Sequence, residues 1–271
     1  MIPLMEKAKG TAEGIKKRFG FEAEIGVVLG SGYPIPVKDD EVVARLPYGE
    51  LSFFPGDIGG IAEGGLLLAD VSGKYVVIFS KRLHYYQGLA LISTCYPVFL
   101  ARFLGAGTIL LTNTAGALSP SLDPGDLMLI SDHINLLGDP LLEVPFKLRN
   151  PLFPDLSSCY TPSLIELGGR LLSELKLRVK SGVLVAVSGP CYETPADVKR
   201  LRVMGGDAVC MSTAPEAIIG CYLKMKVAGL SLISNRAGCL SLSHDDVLKC
   251  VREKKDIILK FIRGFIARCR K

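Results

Sequence analysis

The sequence predicts a single α/β domain spanning residues 1–271, a sheet buried on both faces with helices packed against it. Three observations carry that expectation. Short β-branched apolar runs recur along the chain, helix-capping signals lie between several of them, and no internal repeat, low-complexity stretch or flexible linker divides the chain. Hydrophobic residues make up 49% and charged residues 22%, which excludes a disordered protein and fits a well-filled core.

The apolar runs are Ile25–Leu29, Tyr75–Phe79, Thr108–Leu111, Leu127–Ile130, Val183–Val187, Ala208–Met211 and Val227–Ile233. Each has the length of a strand covered on both faces. Thr161-Pro162 and Thr194-Pro195 each place a hydroxyl before a proline at the first helical position, and Asp197 falls in the first turn of the second. Ser212-Thr213-Ala214-Pro215-Glu216 repeats that grammar, and Ser243-His244-Asp245-Asp246 opens the last helix with a capping-box-like pattern. That helix carries an apolar stripe at Val247, Val251, Ile258, Ile262 and Phe265 with basic residues around it. A basic amphipathic helix suits a membrane surface, but a closing helix that packs on the sheet and exposes a solvated basic face is the plainer reading.

Charge narrows the function classes. The chain carries 32 Lys and Arg against 27 Asp and Glu, a net charge of +5. Residues 245–271 hold the whole excess, so the body is neutral. A neutral body argues against a nucleic-acid partner, which needs a clustered basic face. The uncharged stretch 103–122 includes Thr108, Thr112, Asn113, Thr114 and Ser119, too polar to cross a bilayer. The N-terminal residues lack the pattern of a secretory signal. The eight cysteines are scattered with no C-x-x-C pair, so they read as reduced thiols of a cytoplasmic protein and no metal is expected.

Polar residues gather at the ends of the apolar runs, where open α/β sheets place ligands. Gly30-Ser31-Gly32 offers close backbone approach and a hydroxyl donor for an anion, or simply a tight turn. It is no dinucleotide fingerprint, because the third glycine position holds Ile35. If the chain stays extended after Phe79, Arg82, His84 and Tyr86 share one face: a fixed cation, an imidazole and a phenol, suited to phosphate and a sugar hydroxyl. The blander alternative has Arg82 at the surface and His84 in the core. Thr112-Asn113-Thr114-Ala115-Gly116 brings small residues after a strand. Ser212 falls near a helix N-terminus, where anions are favoured, although a plain cap is its commoner job. Glu193 and Asn235 stand at strand ends, where a carboxylate and an amide can read the polar edge of a heterocycle or cap turns.

In order, Gly30-Ser31-Gly32, Arg82-x-His84-x-Tyr86-x-Gly88, Thr112-Asn113-x-Ala115-Gly116 and Gly125-Asp126 through His133-Ile134-Asn135 are followed by Gly189-Pro190-x-Tyr192-Glu193-Thr194, Met211-Ser212-Thr213-x-Pro215-Glu216 and Ser234-Asn235. This series resembles the purine nucleoside phosphorylases of the trimeric, 6-oxopurine-selective type, from about residue 25 to about 262. The resemblance implies a mixed, partly barrel-like sheet surrounded by helices. It also implies a pentosyltransferase of purine salvage that converts inosine or guanosine and phosphate into a free base and a pentose 1-phosphate, with no cofactor.

Carried over motif by motif, phosphate is expected among Ser31, Arg82, His84, Ser212 and the backbone N–H of Thr114. Tyr86 and Met211 are expected at the ribose and His244 at its 5′-hydroxyl. Glu193 is expected to accept from purine N1–H, Asn235 to reach the O6 and N7 edge, and Tyr192 to pack on the base. Phe153 resembles the aromatic that enters from a neighbouring subunit, which implies a homotrimer. His84, Glu193 and Asn235 would thus carry the catalytic work.

An amide at Asn235 can donate to O6, whereas a methylthioadenosine phosphorylase is expected to carry Asp there. This chain departs from the family pattern at Gln87, where Glu is usual and would orient His84 and raise its pKa, and at the loop 56–65, where Glu63 stands near the position of a usual histidine. Thr114 and Cys210 replace smaller residues. These departures leave two rivals: a phosphorylase with shifted preference for xanthosine, adenosine or methylthioadenosine, and a catalytically weak purine-nucleoside-binding paralogue.

Overall fold

A computed structural model describes residues 4–52, 54–55, 64–150, 153–239 and 243–269. The loop departure around Glu63 therefore lies outside the described residues. Among those described, nine strands form one sheet: β1 (Ile25–Val28), β2 (Val42–Pro47), β3 (Gly65–Val71), β4 (Lys74–Phe79), β5 (Thr108–Ala117), β6 (Leu127–Asn135), β7 (Lys180–Ala186), β8 (Ala208–Cys210) and β9 (Lys226–Arg236). Their order is β2-β3-β4-β1-β5-β8-β7-β6-β9, and β9 also pairs with β5. Strands β5 to β9 thus close into a ring, and β1 to β4 extend it as an open sheet. The sheet is mixed: β4, β1, β5 and β9 run parallel side by side, while β2–β3, β3–β4, β5–β8 and β6–β9 are antiparallel.

Two-sided burial follows the period of two along the strands. Leu66, Leu68, Val77 and Phe79 enter one core cluster, while Leu67, Ala69, Val76 and Ile78 enter the other. The first cluster includes Ala8, Ala12 and Ile15 of α1 (Leu4–Phe19), most of α3 (Tyr96–Phe103), which follows the short α2 (Leu91–Thr94), and Ala217, Ile218 and Ile219 of α6 (Ala214–Tyr222). The second is capped by α4 (Pro162–Glu174), α7 (His244–Glu253) and α8 (Lys255–Arg268). Helix α5 (Pro195–Val203) covers a third, smaller cluster with Val185 and Val209.

Several expectations need correction. The segments at β2 and β3 are strands that the apolar runs did not single out, and β5, β6 and β9 run well past the predicted ends. The last helix is two, divided at Lys254. Its stripe at Val247, Val251, Ile258, Ile262 and Phe265 is buried against the sheet, as the plainer reading has it. Part of its basic face is paired rather than only solvated. Arg263 binds both Glu41 oxygens at 2.6 and 2.7 Å, holding that carboxyl down at about 2, and Arg268 binds Glu174. No helix among the described residues is long and apolar enough to cross a membrane.

Capping also divides. Thr194 and Ser243 accept from the N–H groups of Asp197 and Asp246, each carboxylate reaching back, so both predicted caps form, each as a full capping box. Thr161 instead accepts from Val227 N–H at 3.1 Å, and Thr213 accepts from Asn113, so neither caps its helix.

Candidate active site

The parallel strands β4, β1, β5 and β9 end on one side of the sheet, and a cleft opens there. Its walls include Ser31, Arg82, His84, Tyr86, Thr114, Tyr192, Glu193, Met211, Ser212, Asn235 and His244. Every site residue expected from the sequence lines this one cleft except Phe153. That ring is 85% exposed on the segment leading to α4.

Ser31 sits one residue past Gly30, which lies tight against β5. Gly30 N–H donates to Thr112 Oγ1 at 2.9 Å, and a Cβ at Gly30 would stand 2.9 Å from Asn113 Cα. Only glycine allows that approach. Beside it, the buried Tyr33 hydroxyl donates to Asn113 O at 2.7 Å and accepts from Leu232 N–H at 3.1 Å, tying β5 to β9 under the cleft.

The segment after β4 does not stay extended as far as Tyr86. His84 is extended, but Tyr85–Gln87 is a 3₁₀ turn, and the rings of His84 and Tyr86 stack at 4.7 Å. Gln87 Oε1 accepts from the backbone N–H of His84 at 2.7 Å, so this side chain fixes the main chain and not the imidazole. Burial, aided by the Arg82 charge and by His244, pushes the His84 imidazole down to about 3. His84 is therefore a neutral ring at physiological pH, with one N–H to donate. Arg82 is buried rather than at the surface, with Nε 2.8 Å from Glu216 Oε2 and Nη1 donating to Thr112 O at 2.5 Å.

Thr112, Asn113 and Thr114 lie inside β5 rather than after it, because the strand runs on to Ala117 along β9. Asn113 is buried and donates to Thr213 Oγ1 at 2.9 Å, and Thr213 Oγ1 lies 3.2 Å from Ser212 Oγ. Thr213 has φ 71° and ψ −51°, and Ala214 N–H donates to Ser212 O at 2.8 Å. This is a γ-turn with positive φ, strained for a β-branched residue and sustained by the buried Asn113 contact. It sets the Ser212 hydroxyl into the cleft ahead of α6.

Glu193 and Tyr192 enter from the segment between β7 and α5. The Glu193 carboxyl is half-buried, and burial raises it above the ordinary range, with Asp197 adding to the rise. Gly189, at φ 64°, leaves no room for a side chain: a Cβ would meet Met211 Sδ at 2.5 Å and Tyr86 Cδ1 at 3.2 Å. On β9, Asn235 Oδ1 accepts from Ser234 Oγ at 2.7 Å, and Nδ2 donates to Arg236 O at 3.1 Å. His244, the first residue of α7, completes the rim. Ser234 also lines the cleft, a position sequence reasoning did not assign. Its only signal was adjacency to Asn235 in the Ser234-Asn235 pair.

The arrangement can do two things side by side. Hydroxyls, a neutral imidazole and a buried guanidinium suit a phosphate, while an amide and a carboxylate suit a heterocycle with both donor and acceptor atoms.

Comparison with known proteins agrees in kind. A family model described as the phosphorylase superfamily matches residues 24–267. Purine nucleoside phosphorylase 1 of Geobacillus stearothermophilus is 38% identical over 259 residues, covering 94% of each chain. A Schistosoma purine nucleoside phosphorylase in complex with guanosine superposes with a TM-score of 0.89 at 30% identity, covering 98% of both chains. Isoform 2 of the Schistosoma mansoni enzyme, in complex with cytosine and ribose-1-phosphate, superposes with a TM-score of 0.90 at 32% identity, covering 98% of this chain and 97% of its own.

Proposed function

The chain belongs to the phosphorylase superfamily and, within it, to the purine nucleoside phosphorylases, and we propose that it acts on 6-oxopurine nucleosides such as inosine and guanosine in purine salvage. The observation that carries this reading is the meeting of Glu193 and Asn235 with Ser31, Arg82, His84 and Ser212 in one cleft. In this reading phosphate lies among Ser31, Arg82, His84, Ser212 and the Thr114 backbone, below the ribose. A phosphate oxygen attacks C1′ as the bond from C1′ to N9 breaks, and the bonding pair leaves with the purine. Phosphate stabilises the cationic sugar, and Asn235, at O6 and N7, stabilises the anionic base. Neither a covalent enzyme intermediate nor a metal enters the scheme.

Glu193 and Asn235 supply the base preference. A 6-oxopurine presents a donor at N1 and an acceptor at O6, matching a carboxylate and an amide N–H. Adenine reverses both, which leaves the half-buried Glu193 opposite another acceptor. Tyr86 and Met211 flank the ribose, His244 faces its 5′-hydroxyl, and Tyr192 covers the base.

Exposed Phe153, with Leu142 and Phe146 at 71% and 66% exposure on the same stretch of chain, supports a homotrimer in which Phe153 reaches a neighbour's cleft. Sedimentation is expected to give a trimer, and a monomer at assay concentration would remove Phe153 from the site. The eight cysteines, scattered along the chain, suit a reducing, cytoplasmic setting.

The test is base release from inosine, guanosine, adenosine and methylthioadenosine, with and without phosphate. Phosphate-dependent release from the first two, at least about a hundredfold faster than from the others, is expected. Release confined to the adenine nucleosides would overturn the base-site reading.

A further inference from the structure

The buried pair of Arg82 and Glu216 is not explained by substrate contact alone. Glu216 lies on α6 and comes to Arg82 from behind, away from the cleft wall that Arg82 forms. Both side chains are almost wholly buried, at 1% and 2% exposure, with Nε 2.8 Å from Oε2. Neither Arg82 Nη2 nor Glu216 Oε1 has a hydrogen-bond partner. Arg82 Nη1 is engaged by Thr112 O.

On stability alone this is a poor arrangement. Two charges are taken out of water, and the hydrogen bonds that would offset their desolvation are incomplete. What the arrangement does supply is orientation. With Nε held against Glu216 and Nη1 against Thr112 O, the guanidinium plane is fixed where Arg82 lines the cleft, and Nη2 is buried with no partner. The γ-turn at Thr213 links this to the other side of the site, since one turn of chain presents Ser212 to the cleft and, four residues later, Glu216 to the back of Arg82.

We propose that Glu216 is a positioning residue for phosphate: it touches no substrate, and it holds the Arg82 guanidinium in one orientation at the cleft wall, ready for a phosphate oxygen. This inference rests on the phosphate subsite proposed above. An oriented fork binds a tetrahedral oxyanion with less ordering cost than a mobile one.

A counter-charge role predicts the opposite sign, because removing a carboxylate beside an incoming dianion would tighten phosphate binding. Two substitutions separate these. Glu216→Met keeps the volume but removes charge and acceptor. Glu216→Gln keeps shape and acceptor while removing the charge.

The experiment is steady-state kinetics on the full chain, varying inorganic phosphate and nucleoside separately, with Ser31→Ala as a control for the subsite. Glu216→Met is expected to raise the phosphate KM about tenfold with the nucleoside KM within about twofold, and Glu216→Gln to restore most of the loss. If the Met variant does not fold, Glu216→Asp carries the test by drawing the carboxylate back one methylene, with a several-fold rise expected. An unchanged or lower phosphate KM, or a nucleoside KM that rises in step, overturns the proposal. If Ser31→Ala raises the phosphate KM and the Glu216 variants do not, only the positioning role fails. If none of them moves it, the subsite itself is misplaced.

Discussion

Asn235 stands opposite Gly116 because the β5–β9 ladder slips by one residue just before it. Ala115 pairs with Ile233, and the next pair is Gly116 with Asn235, so Ser234 is the extra residue of a bulge. A bulge re-aims the side chains that follow it. Here it puts Ser234 and Asn235, neighbours that regular alternation would send to opposite faces, into the same cleft. Ser234 then donates to Asn235 Oδ1 and sets which end of the amide is an acceptor already in use.

The base preference is therefore expected to follow that amide. Asn235→Asp replaces the donor proposed to face O6 with an acceptor. The ratio of kcat/KM for inosine over adenosine is predicted to fall by about a hundredfold, mostly through loss on inosine with some gain on adenosine. Equal loss on both would contradict the assignment.

Glu193 makes a pH prediction. Burial raises its carboxyl above the ordinary Glu value of about 4.3. Only the ionised form accepts from N1–H, so inosine affinity is lost as pH falls through the raised value. Calorimetric titration without phosphate should place the midpoint above pH ~4.3, and Glu193→Gln should flatten the profile. A midpoint at or below the ordinary value would contradict it.

His84 makes a stability prediction of the same kind. Its folded value of about 3 lies below the unfolded one, so the unfolded chain takes up the proton first. Stability is lost as pH falls from about 6.5 toward 3 and is fully present above that window. His84→Asn should reduce the slope of the thermal midpoint against pH across this window. An unchanged slope would place the titrating group elsewhere.

Gly189→Ala tests the floor of the proposed ribose and base region. A Cβ there would stand 2.5 Å from Met211 Sδ on a backbone at φ 64°. The nucleoside KM should rise about tenfold or more while the phosphate KM stays within about twofold. A selective rise in the phosphate KM would show that Met211 does not face the ribose.

Much of this was legible in the sequence where local chemistry decides. The apolar runs Ile25–Leu29 and Tyr75–Phe79 hold strands β1 and β4 because both faces are covered, and Thr194 with Asp197 marks a helix start that needs no distant partner. Strand β2 escaped because it is an edge strand, with Arg45 and Pro47 breaking its apolar run. Strand β3 escaped because Leu66-Leu67-Leu68 reads as helix as readily as strand. The motifs singled out residues that line one cleft, but not their contacts. The slip at Ser234 and the pairing of Arg82 with Glu216 join parts of the chain more than a hundred residues apart. No local pattern carries such a contact. Gln87 is the instructive case: its type suggested a lost contact with the His84 ring, while the structure shows it bonded to the His84 backbone.

The central claim is that phosphate and a 6-oxopurine nucleoside react side by side in this cleft, with phosphate as the attacking group. Phosphorus NMR of the purified chain with inosine and phosphate tests it directly. The expected result is ribose 1-phosphate appearing in step with hypoxanthine, one for one, and no base release when phosphate is left out. Hypoxanthine accompanied by free ribose, at a rate indifferent to phosphate, would contradict the account.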